Sequence, residues 1–97
     1  MATIVALIKF TDQGIRNIKE QPEWLRKGEE RLKQGGGRFL CWYATEGQYD
    51  AVAVIEAPNE EVIARTLLAV NREGHVRTQT LRAHSREEFA KLLASLS

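Results

Sequence analysis

Ninety-seven residues suffice for one compact domain over 1–97 and exclude a multidomain enzyme. With 43% hydrophobic and 28% charged residues and only two prolines, the chain has the apolar surface to fold and no disorder-like bias. Fourteen Lys and Arg against thirteen Asp and Glu leave a net charge of +1, so no global field draws nucleic acid or a membrane surface, and neither is expected as a partner.

The run Ile4-Val5-Ala6-Leu7-Ile8 is short, β-branched and apolar at every position, which predicts a strand over 3–10 covered on both faces. Met1-Ala2-Thr3 lacks the basic start of a signal peptide and Lys9 cuts the apolar run short, so the cytoplasm is the expected location. Thr11 and Asp12 suit a helix start, with Ile15 and Ile18 on a short first helix. Pro22 suits the opening of a second helix, whose Trp24, Leu25 and Leu32 share one face until Gly35-Gly36-Gly37 stops it. The mixed charges of Arg26, Lys27, Glu29, Glu30, Arg31 and Lys33 make its other face a solvated one.

Arg38 to Thr45 reads as a second strand, and Glu46-Gly47-Gln48 turns the chain into a hairpin with Ala51 to Ile55, a run that Glu56-Ala57-Pro58 is expected to end. Asn59 caps a helix over about 59–73, with Glu60 and Glu61 at its positive end and Val62, Ile63, Leu67 and Val70 as its stripe. Val76 to Ala83 alternates and forms a fourth strand. Ser85 and Glu88 form a capping box for a last helix, with Phe89, Leu92, Leu93 and Leu96 expected inward.

The order βαββαβ plus a C-terminal helix defines an α+β class, a ferredoxin-like four-stranded antiparallel sheet with two helices on one face. Strands one and three are apolar on both faces, yet two helices cover only one. Either the C-terminal helix or a second copy's sheet must cover the other, and a homodimer with sheets stacked face to face is the expectation.

Three separated blocks, Ala6 to Ile15, Gly47-Gln48-Tyr49-Asp50 leading into Glu56-Ala57-Pro58, and Gly74 to Ala83, resemble the GYD domain family. The resemblance runs from the first strand to the fourth, with Gln48 filling the variable position of a G-x-Y-D form. It implies a small prokaryotic protein of the dimeric α/β barrel type and carries no settled biochemical role.

Tyr49 and Asp50 at the hairpin exit combine a phenol and a carboxylate that serve either a ligand cleft or the local backbone. Arg77 and Arg82 face opposite sides of their strand, and Thr78 and Thr80 share the side of Arg82. Each guanidinium suits a carboxylate or phosphate of a ligand, or an ion pair with Asp50 or Glu56. Tyr43, with Phe39, Trp24 and Trp42, lines the pocket of a flat organic ligand or fills core. The candidate ligand-binding set is therefore Tyr49, Asp50, Arg77 and Tyr43. His75 and His84 stand at opposite ends of one strand, cannot share a metal, and read as loop-end histidines; no metal and no cofactor are expected. The lone Cys41 between Leu40 and Trp42 reads as a buried thiol in a reducing compartment.

A homodimeric ligand-binding or sensory protein with its cleft between sheet and helices fits these features first. The alternatives are a cofactor-free enzyme resembling the monooxygenases, isomerases or dehydratases of the dimeric barrel type, and a protein-interaction module.

Overall fold

A computed structural model describes residues 1–97. The strands are β1 (Ala2–Phe10), β2 (Arg38–Ala44), β3 (Ala51–Ala57) and β4 (Val76–Arg82); the α-helices are α1 (Asp12–Arg16), α2 (Gln21–Gln34), α3 (Glu60–Arg72) and α4 (Arg86–Ala94). The four strands form one antiparallel sheet in the order β2-β3-β1-β4, the ferredoxin-like arrangement of the α+β class. No helix is long and apolar enough to cross a membrane.

The pairing Ile4↔Ile55, Ala6↔Ala53, Ile8↔Ala51 assigns one face of the two central strands to α2 and α3. Ala6, Ala51, Ala53 and Ala57 are almost fully covered there. Their small side chains leave the space that Leu32 of α2 and Ile63 of α3 fill. Only 13 of 97 residues are buried, a thin core that leaves much of the apolar sequence in reach of a partner. Each main helix begins as its residues dictate. Pro22 stands in the first turn of α2, where a missing N–H costs nothing, and the Asn59 side chain accepts from Val62 N–H at the head of α3.

The expected end of β3 at Ile55 is corrected. Glu56 and Ala57 continue the ladder opposite Thr3 and Ala2, because Pro58, with no N–H to donate, is the true stop. The inward placement of Phe89, Leu92, Leu93 and Leu96 is also corrected. They are 54%, 48%, 52% and 72% exposed, and α4 has no buried residue. A radius of gyration of 14.6 Å and a longest extent of 52 Å accord with a helix that stands off the sheet; a compact chain of this length has a radius near ~12.5 Å.

The second face of the sheet carries Val5 and Leu7 of β1, Val52 and Val54 of β3, Cys41 and Tyr43 of β2, and Leu81 of β4. Val5, Leu7, Val52 and Val54 are half-buried, while Tyr43 and Leu81 are exposed. Cys41 is thus half-buried on this open face and is not the fully buried thiol its apolar neighbours suggested. Leu40 sits in a bulge where the register of β2 shifts between Phe39 and Cys41, and it is 46% exposed.

Candidate functional site

Between α2, α3 and the sheet lies a cavity of about 80 Å3, several times the ~10–15 Å3 that one water needs. Its walls are apolar and aromatic, with Phe10, Trp24, Phe39, Trp42 and Leu67 among them, and Gln21, Glu73 and His75 bring polar groups to it. The Trp24 and His75 rings are stacked, with centroids 4.0 Å apart and planes 11° from parallel. Phe10 meets Trp24 edge-on at 6.5 Å. His75 is therefore a loop-end histidine at the entry to β4, as expected, and also a wall of the cavity.

The position of His75 is set by the chain before it. Thr11 N–H donates to His75 C=O at 3.0 Å, and the Thr11 hydroxyl donates to Gly74 C=O at 2.6 Å. The same hydroxyl accepts from Gly14 N–H, capping α1. Gly14 packs directly on the His75 carbonyl, where any Cβ would clash with backbone. Gly74 adopts φ +88°, a left-handed conformation that suits glycine. The first and third sequence blocks thus meet in one joint beside the cavity, and the second joins them through Asp50.

Asp50 Oδ2 accepts from Phe10 N–H at 2.8 Å, while Asp50 N–H donates to Ile8 C=O at 2.8 Å. The carboxylate extends the β1–β3 ladder past its last backbone pair. Tyr49 donates its phenol to Gln79 Oε1 at 2.7 Å, reaching past β1 to β4, and its carbonyl accepts from the Thr45 hydroxyl. Tyr43 is opposite Val52 on the open face and 63% exposed. Arg77 is opposite Lys9 on that same face, and its guanidinium donates to the carbonyls of Val76 and Asn71. None of these four predicted residues lines the cavity. The structure gathers Tyr43, Gln79-bound Tyr49 and Arg77 around the open face instead, and leaves Asp50 at the end of β1.

Arg82 does face the helices, as alternation predicts, and Thr78 with it; Arg82 pairs with Glu60 of α3, and the Thr78 hydroxyl accepts from Asn71 at 2.9 Å. The expected arginine pairs with Asp50 or Glu56 are corrected: Asp50 is taken by backbone and Glu56 by Arg38 at 2.7 Å. On the outer face of α2, Arg26 binds both Glu23 and Glu30, so the charged run is a solvated, internally paired surface. The Arg26 guanidinium holds the Glu23 carboxyl below its ordinary range.

His75 and Phe10 were not in the predicted set. The signal for His75 was its place in the third block directly after a glycine; nothing in strand periodicity distinguishes Phe10.

The fold and its cavity define a small ferredoxin-like α+β protein. The chain belongs to the GYD domain family, whose description matches residues 4–93. It is 34% identical over 84 residues to the glutamine synthetase and cystathionine beta-lyase binding protein of Thermus thermophilus, covering 86% of this chain and 88% of the relative. Two solved structures share its fold. The crystal structure of FFRP-DM1 superposes with a TM-score of 0.58 at 19% identity, covering 87% of this chain and all of the other. That of TTHA0845 from Thermus thermophilus gives 0.55 at 21% identity, covering 87% and 94%.

Proposed function

We propose that this protein is a homodimeric binding protein of sensory type, located in the cytoplasm, that holds a small organic ligand in the cavity between sheet and helices. The observation that carries this reading is the cavity itself, walled by Phe10, Trp24 and Trp42 and bordered by the imidazole of His75. The lining suits a flat, largely apolar molecule with one or two hydrogen-bonding atoms, and at about 80 Å3 the cavity must widen by movement of its side chains to admit one. The open sheet face, apolar from Val5 to Val54, supports pairing with a second copy. Tyr43, Tyr49 and Arg77 then belong to the dimer seam.

The name of the Thermus relative favours an additional role as a partner of enzymes. The alternative of a cofactor-free enzyme places His75 as the proton acceptor in the cavity, since it is the imidazole there.

Native mass spectrometry of the freshly purified chain tests the proposal. A dimer with extra mass, lost in a variant whose cavity is filled by Ala6→Leu, is the expected result. A bare monomer overturns the pairing, and a bare dimer that takes up no small aromatic compound in a ligand screen overturns the binding role.

A further inference from the structure

We infer that the molecule held in the cavity is a small organic amine, with its protonated nitrogen at the end formed by Gln21, Glu73 and His75 and its apolar body against the aromatic walls. This inference rests on the reading of the cavity as a ligand site and names the chemistry of the ligand. Glu73 is the one carboxylate in the lining, and no lysine or arginine stands there, although the chain has fourteen of them. Phe10, Trp24, Phe39 and Trp42 act in the same direction, since the face of an aromatic ring is negative and attracts a cation. A carboxylate or phosphate would enter beside Glu73 with no cationic side chain in the lining to balance its charge.

Three elements assemble the polar end. Trp24 of α2 stacks on His75 at 4.0 Å, Gln21 lies one turn before Trp24, and Glu73, directly after α3, is two residues before His75. All four are half-buried, so this end of the cavity meets solvent and gives an ammonium group a way in. The two threonines of the lining are already engaged: the Thr66 hydroxyl donates to Val62 C=O at 2.8 Å, and that of Thr78 accepts from Asn71 at 2.9 Å. Glu73 is held more loosely. Its one charged partner, Arg31, reaches Oε2 at 3.4 Å, beyond the ~2.7–2.9 Å of a charge-assisted bond, and Oε1 is left to accept from a ligand. The first turn of α2 is the one feature here that favours an anion, and it is weakened, because Pro22 brings no N–H and Glu23 places a carboxylate in the same turn.

The test is an NMR titration of the full chain at neutral pH with benzylamine, benzyl alcohol and benzoate, three molecules of similar shape that differ in charge. Benzylamine is expected to bind about tenfold more tightly than benzyl alcohol, with benzoate weakest. Glu73→Gln keeps the shape of the side chain and removes its charge, so it is expected to cancel the advantage of benzylamine while benzyl alcohol binds as before. The unchanged alcohol then shows that the cavity still forms. Ala6→Leu, which fills the cavity, is expected to abolish binding of both. If benzyl alcohol or benzoate binds the parent chain as tightly as benzylamine, the amine assignment is overturned and the cavity reading stands. The assignment is also overturned if Glu73→Gln keeps the full preference for benzylamine, if it loses benzylamine and benzyl alcohol equally, or if Ala6→Leu still binds the amine. If none of the three compounds binds, the cavity reading itself falls and the amine with it.

Discussion

The carboxylate of Asp50 accepts a hydrogen bond from the backbone N–H of Phe10 at 2.8 Å, forty residues away in sequence. It replaces the carbonyl that the next residue pair of the ladder would supply, so a side chain carries on the work of a strand. Asp50→Ala leaves this half-buried N–H without a partner and is expected to destabilise the fold by about 1–3 kcal/mol, with Asp50→Asn nearer the parent because its amide oxygen still accepts. Urea denaturation checks both; equal, negligible losses would show that the contact contributes nothing.

Gly14→Ala is expected to cost about 1–3 kcal/mol, since the new Cβ collides with the His75 carbonyl and backbone cannot swing aside as a side chain can. The melting temperature reports the loss. A companion change in the ligand readout is expected too, because the same joint sets the His75 ring beside the cavity.

His75→Ala removes the partner stacked on Trp24 at 4.0 Å. A loss of about 1 kcal/mol is expected, with a shift in tryptophan emission as the indole gains contact with water. Unchanged emission would mean that the two rings do not stack in solution.

Which face of the sheet lies open, and so would carry the proposed pairing, is set by residue parity. Val54 lies on the open face and Ile55 on the helix face. Val54→Asp is expected to give folded monomers by size-exclusion chromatography, whereas Ile55→Asp buries an unpaired charge in the core and is expected to unfold the chain, at a cost of several kcal/mol.

Acid is expected to loosen α4 first. The Ser85 backbone N–H donates to Glu88 and holds its carboxyl below the ordinary glutamate range. A depressed pKa in the folded state means that the contribution is present above the unfolded value and disappears as pH falls through the folded one. Fraying of α4, followed by NMR, is therefore expected as pH falls below the ordinary glutamate range, with the sheet still intact. Loss of α4 and the sheet at the same pH would refute this separation.

Much of the architecture was legible because it depends on local rules. The unbroken apolar runs of β1 and β3, the Asn59 cap, the glycine stop of α2 and the Ser85–Glu88 box each act within a few residues. The site was less legible. Tyr49, Asp50 and Arg77 have polar groups that suit a ligand, but the fold engages them with Gln79, Phe10 N–H and the carbonyls of Asn71 and Val76, all choices made by strand order and invisible to spacing. Trp24 and His75 are fifty-one positions apart and meet only because Thr11 and Gly14 seat the turn before β4 against α1. Burial of α4 was misread because amphipathic periodicity reveals that a face is apolar and not whether the rest of the chain covers it.

The strand order has a consequence for how the chain acquires its structure during synthesis. β1 is made first and occupies the middle of the sheet, yet Ile4 pairs with Ile55 on one side and with Arg82 on the other. Its apolar run waits for residues 51–57 before it is paired on one side and for residues 76–82 before it is paired on the other. Such distant contacts slow folding and lengthen the exposure of a sticky strand. Yield in a host should therefore respond to growth temperature and chaperone supply more than to changes in α4, whose contacts within the chain are not part of that late closure.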